Sequence, residues 1–218
     1  DEPPIAVIPF RNQSPDNEYE YFADGISEDL VHALSLWKSF PVVSFASTLP
    51  FKNKQYSLEA VTKTLGVRYL VTGQVSRAGT RIRVAAELTD TRTKLQLWRE
   101  RRTVELADFF ELQEDISTWI ASHIQPRLLA EARNVAARKK PADMNAWDLG
   151  LRAHVEWLKH TEDSNLRARE LALRAIEIDP SSVFSRVTLA ESYYLEIFYR
   201  WTEDVLGSIV KYVEVSSE

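Results

Sequence analysis

Ile5-Ala6-Val7-Ile8-Pro9-Phe10, followed at a distance by Glu20-Tyr21-Phe22-Ala23-Asp24-Gly25, is the stretch on which the fold turns. The first half is an apolar run of strand length, and a run of that kind with turn formers behind it predicts a buried strand. Asn12, Ser14, Pro15, Asp16 and Asn17 fill the polar interval Arg11 to Glu20, which predicts a loop. Asp24 then reads as an N-cap, with Glu28 and Asp29 in the first turn, where carboxylates suit the positive end of a helix. Ile26, Leu30, Ala33, Leu34 and Trp37 recur at helical spacing, so the helix is expected from about Gly25 to Trp37.

Working outward, Phe40 to Phe45 predicts a second strand, and Ser47 to Tyr56 a loop. Ser57 caps a short helix over Leu58 to Leu65 that stops at Gly66. From Arg68 the period changes to two: Tyr69 to Val75, a turn at Arg77 to Thr80, then Ile82, Val84, Ala86 and Leu88 alternating with Arg81, Arg83 and Glu87. A further turn at Asp90 to Thr93 leads to a strand over Leu95 to Val104. The order βαβαβ plus two hairpin-linked strands predicts a mixed sheet with packed helices. Asp108 opens a long helix with Phe109, Leu112, Ile116, Ile120 and Ile124 on one stripe, and Pro126 is expected to kink or restart it. Arg138-Lys139-Lys140-Pro141 is the linker candidate, giving domains 1–137 and 138–218. Beyond it Trp147 to Leu158, Ser164 to Ile178 and Ser182 to Tyr199 are helical, with a stop at Asp179-Pro180 and a shorter pattern from Asp204. The fold class is thus α/β plus all-α.

Composition narrows the function classes. A net charge of -5 on 218 residues argues against a general nucleic-acid binder, although an acidic chain can hold a local basic patch. The absence of cysteine removes disulfides, thiolate metal sites and cysteine nucleophiles, and suits a cytoplasm or a periplasm. No apolar run reaches membrane-spanning length and no export signal is present, so no membrane contact is expected. The start at Asp1 and the end in a helical pattern are read as an excised piece of a longer protein.

Each potential site has a competing structural reading. Asp24, Glu28 and Asp29 offer oxygen ligands for magnesium, but their place at a helix start favours capping. Gly66, Gly73 and Gly79 lack the spacing of a phosphate loop. His32, His123, His154 and His160 have no acidic partner at metal spacing, and no hydrolase triad can be built from Ser44 or Ser47. Trp98, Arg99, Arg101 and Arg102 suggest nucleic-acid contacts, but charge on an edge strand also blocks aggregation. No cofactor and no metal are therefore expected.

Ala168, Ala175 and Asp179-Pro180, then Leu189-Ala190-Glu191-Ser192-Tyr193, resemble the tetratricopeptide repeat, with Ala172 where that pattern has an aromatic. Small residues there let helices approach closely. The resemblance implies a concave surface lined by first helices, on which Arg152, Glu156, Arg186 and Tyr193 are the candidate partner-binding residues. Phe184, Tyr193, Tyr194, Phe198, Tyr199 and Trp201 form more apolar surface than one helix pair buries, so further repeats or a second copy are expected to cover it.

Ile5 to Phe10, Glu20 to Asp29, Leu65 to Tyr69, Val71 to Gly79 and Leu97 to Glu100 resemble the TolB amino-terminal-like domain found beside class III adenylate cyclase domains. That resemblance implies a non-catalytic regulatory fragment of a bacterial cyclic AMP signalling protein. Its cyclase domain would precede Asp1, and a protein partner or self-association would act through the repeats. The alternatives are a sensory domain of a membrane-anchored transcription regulator or envelope protein, and a nucleotide-binding enzyme domain.

Overall fold

The computed structural model describes residues 2–14, 18–37, 40–105, 109–140 and 144–217. They divide into two compact units, one running from Glu2 to Arg127 and the other from Leu128 onward. The expected helix start at Asp108 and the linker residue Pro141 lie outside the described residues.

In the first unit, β1 (Ile5–Val7) pairs in parallel with β3 (Tyr69–Ala78), which runs antiparallel to β4 (Arg81–Asp90), itself antiparallel to β5 (Leu95–Glu105). The apolar run is not one strand. Pro9 has no N–H for the ladder, and the chain pairs with β3 again as β2 (Arg11–Asn12). Val7 faces Val71 and Arg11 faces Gln74, so four steps along the first chain match three along β3. The extra residue is a bulge, which re-aims the side chains beside it.

Phe10, fully buried, is the side chain re-aimed. It lies over Gly73, where an added Cβ would be 2.3 Å from the ring. Its amide donates to Ser27 Oγ at 2.8 Å, and that hydroxyl donates to the Ala23 carbonyl at 2.7 Å. One turn of α1 (Glu18–Ser35) is thereby tied to the bulge.

That helix corrects the expectation at Asp24 and Gly25. It starts six residues before Asp24, so Asp24 is no N-cap and Gly25 no turn, and Glu28 and Asp29 are not in a first turn. Tyr19, Phe22, Ala23 and Ile26 are all buried, and this extends the apolar stripe toward the N-terminus. Gly25 is there because an added Cβ would lie 2.2 Å from the Gln113 side chain of α4 (Phe109–Arg138). Gln113 donates in turn to the Asp29 carboxylate at 3.0 Å. Asp24 binds Lys52 at 2.6 Å, and Glu20 binds the same amine at 2.8 Å.

The second expected strand is reduced to one bridge, Ile5 with Val42, because the chain turns at Phe45 into α2 (Phe45–Thr48) and a 3-10 turn (Leu49–Phe51). The loop expected over Ser47 to Tyr56 accordingly begins as helix. α3 (Leu58–Leu65) has the expected ends: Ser57 accepts from the Ala60 amide, and Gly66 closes it at φ 66°. Ile82, Val84, Ala86 and Leu88 of β4 are buried, on the sheet face that Trp98 of β5 shares by register. Trp98 sits 6.1 Å from Trp119 of α4, and Leu112, Ile116, Ile120 and Ile124 are buried along that helix. Pro126 lies inside α4 and does not end it. The opposite sheet face is covered by α3 only near β1 and the start of β3, around Ala6, Ile8, Val61, Val67 and Leu70.

The second unit holds the end of α4 and four further helices: α5 (Ala146–Trp157), α6 (Glu162–Ile178), α7 (Val183–Tyr199) and α8 (Val205–Ser217). Each of the first three has a side-chain N-cap: Asn145 with Asp148, Thr161 with Ser164, and Ser182. Ala153, Ala172, Leu189 and Tyr193 form the core where α5, α6 and α7 meet. Ala168 and Ala175 are fully buried, as close helix packing requires.

Replacing Ser27 by alanine leaves the buried Phe10 amide without an acceptor and is expected to cost about 1–3 kcal/mol in urea unfolding. Gly73→Ala drives a methyl into the Phe10 ring and is expected to cost about 1–3 kcal/mol in the same measurement. A neutral result for both would remove the Phe10 clamp as a determinant of stability.

Candidate functional site

The sequence places the candidate surface on α5 and α7, and the structure gives each of its residues a position. Arg152 of α5 is occupied within the fold. Its guanidinium donates to the carbonyls of Ala136 at 3.1 Å and Lys139 at 2.7 Å, at the end of α4. A cation there also meets the negative end of the helix dipole. Glu156 lies one turn further along and accepts from Lys159 and from Arg167 of α6. Burial pushes its carboxyl up, but the bonds from Lys159 and Arg167 outweigh that and hold it below the ordinary value.

On α7, Arg186 is half-exposed in the first turn. Tyr193 is 7% exposed and part of the core, with the Arg169 guanidinium 4.1 Å from its ring centroid. Arg169 also binds Glu196 at 3.1 Å, and Glu196 accepts from Ser208 of α8 at 2.6 Å. A single carboxylate thus joins α6, α7 and α8. Burial raises Glu196, while Ser208 and Arg169 pull it down further, so it stays ionised. The four candidates are brought onto two neighbouring helices, yet three of them are engaged inside the unit.

What stays open lies further along α7 and on α8. Tyr194 is 51% exposed, Phe198 62%, Leu206 77% and Val210 54%. Tyr194 stacks on Phe198 at 5.9 Å and lies 6.4 Å from Tyr212. Tyr194 and Phe198 were legible from their aromatic crowding. The α8 contribution was not, since Val205, Leu206, Ile209, Val210 and Val213 fall in a segment whose sequence shows only a short helical pattern.

A second aromatic row follows the α5 and α7 seam, where Trp147 meets Phe184 at 5.1 Å, Phe184 meets His154 at 5.4 Å, and His154 meets Trp157 at 5.2 Å. His154 is driven down to about 4 by its burial and by the nearby Arg133 cation. Among the described residues no group of three or more histidine or acidic side chains is arranged to hold a metal, and no helix is long and apolar enough to cross a membrane.

Since the folded His154 stays neutral to about pH 4 while the unfolded side chain takes its proton near 6.5, the unfolded state holds more protons between these values. Stability therefore falls as pH drops through that window. The expected loss from pH 7 to 4.5 is about 1–2 kcal/mol, discounted for the part of the ring that water reaches. His154→Phe keeps the ring contacts, and its urea midpoint should lose less over the same interval than that of the unsubstituted chain. Equal losses would exclude this histidine as the cause.

Comparison with known proteins adds the relatives. The chain is 34% identical over 199 residues to "Putative adenylate cyclase 3" of Rhizobium meliloti (strain 1021), a match covering 91% of this chain and 34% of that protein. The chain therefore spans about a third of that relative's length. Among solved structures, TolB from Acinetobacter baumannii aligns with 59% of this chain and 28% of its own, at 23% identity and a TM-score of 0.45. The lipoprotein GNA1162 from Neisseria meningitidis aligns with 57% of this chain and 99% of its own, at 17% identity and a TM-score of 0.44. The model of the HilA/YgeH-like transcriptional regulator second domain matches residues 2–119, more than half of the chain. By that match the chain belongs to the HilA/YgeH-like second-domain family.

Proposed function

We propose that this chain is a non-catalytic regulatory module of a bacterial cyclic AMP signalling protein. Its helical unit, built of tetratricopeptide-type hairpins, takes up a protein partner or a second copy, and the sheet unit passes the occupancy to an attached cyclase domain preceding Asp1. The module works in the cytoplasm. The observation that supports this most directly is the 34% identity to a protein named as an adenylate cyclase, running through 91% of this chain while using a third of that protein. The open apolar surface of Tyr194, Phe198, Leu206 and Val210 supports the partner role, since contiguous apolar patches on a protein surface mark interaction sites.

The family match favours a second reading, in which the same module serves as the sensing part of a transcription regulator. Both readings give the chain the same task, recognition coupled to an output carried elsewhere, and coupling requires a ligand that binds two states of the module unequally.

The purified chain with magnesium and ATP is expected to form no cyclic AMP, and turnover would overturn the regulatory reading. Light scattering is expected to show concentration-dependent association that Leu206→Glu together with Val210→Glu abolishes. A monodisperse monomer that binds no hydrophobic dye would count against the partner surface.

A further inference from the structure

The sheet of the first unit has one face packed under α1 and α4 and one face that α3 covers only in part. On the open part lie two adjoining clefts, of about 440 Å³ and about 140 Å³, which share Gln74 and Ala85. The register explains their shape. Ala85 stands between Gln74 of β3 and Arg101 of β5, so the floor is a methyl group and the longer neighbours form the walls.

The walls are cationic. Arg11 and Arg99 line the larger cleft, Arg83 and Arg101 the smaller, and Glu87 is the one carboxylate among their lining residues. This concentration stands in a chain of net charge -5. Protection of an edge strand accounts for Arg99 and Arg101 on β5 and for Arg11 on β2, but not for Arg83 on the interior strand β4. Guanidinium groups gathered on a concave surface repel one another and raise the local concentration of anions.

The rest of the larger cleft qualifies the anion. Its far end is apolar, with Ile8, Leu58 and Leu70. Glu87, which accepts from Thr72 at 3.1 Å and lies 4.0 Å from Arg99, is placed to take a hydrogen bond from a hydroxyl or amine. A bare phosphate has no use for that carboxylate or for the apolar end, whereas a phosphate ester with a hydroxylated carbon body uses both. The larger cleft is within the size range of small-molecule sites.

We infer that this open sheet face is a binding site for a small phosphate ester of the sugar-phosphate or nucleotide class, its phosphate held by Arg99 and Arg101 and its hydroxyls by Glu87. Planar guanidinium pairs suit phosphate because two N–H groups meet two oxygens at once. The site stands on the sheet face alone and is independent of the regulatory reading above.

Calorimetric titration of the whole chain with ribose 5-phosphate, ATP and pyrophosphate tests it. The two esters are expected to bind at least about fivefold more tightly than pyrophosphate, and the double variant R99Q/R101Q to weaken them by at least about tenfold. Both arginines are exposed, so the variant is expected to keep the unfolding midpoint of the parent chain. Glu87→Gln should abolish the preference for esters over pyrophosphate. The inference is overturned if neither ester binds saturably at millimolar concentration, if pyrophosphate binds as tightly as the esters, or if R174Q, on the exposed surface of α6, weakens binding as much as R99Q/R101Q.

Discussion

The placement of Phe10 is the constraint on which the first unit rests. A strand interrupted by a proline gains one residue against its partner, and the surplus turns an aromatic ring into the notch left by Gly73. The buried amide that this takes out of the ladder is satisfied by Ser27, so the bulge that bends the strand also fixes the helix over it. A buried amide left unpaired costs about as much as a good part of a small domain's net stability. The bulge, the helix register and the sheet glycine therefore stand or fall together. Gly25 extends the logic to α4, since the first helix can meet Gln113 closely only where it lacks a side chain.

The helical unit is organised differently. Its helices start at side-chain caps and meet over alanines, and the charged connection is the near-buried Arg169 to Glu196 pair with Ser208 as a third member. A buried ion pair is a weak source of net stability, but breaking it leaves an uncompensated charge, so it fixes which helix faces which. Two polar residues of α5 are taken up by the fold, Arg152 at the end of α4 and Glu156 between Lys159 and Arg167. The free surface is apolar and lies on α7 and α8 instead. The sheet unit shows the inverse arrangement, with one face packed under helices and the arginine-lined part of the other left open.

The sequence by itself determined what depends on local chemistry. Ser57 and Gly66 bound α3, the alternation from Tyr69 to Leu88 made a hairpin, and the stripe from Leu112 to Ile124 made a helix, because capping, period and turn preference act over a few residues. The aromatic crowding of Tyr194 and Phe198 pointed to more apolar surface than a helix pair buries, and both side chains are exposed. Tertiary structure decided the rest. Asp24-Gly25 has the wording of a helix start and lies in mid-helix, because burial of Tyr19 and Phe22 and the approach of Gln113 outweigh a local capping preference. Arg152 and Tyr193 have the position of binding residues and serve packing, since only the folded chain shows that carbonyls of α4 and the guanidinium of Arg169 lie beside them. Arg11, Arg83, Arg99 and Arg101 are scattered over ninety residues of sequence. Pairing register alone brings them onto one face, because hydrogen bonding between strands joins residues that the chain holds far apart.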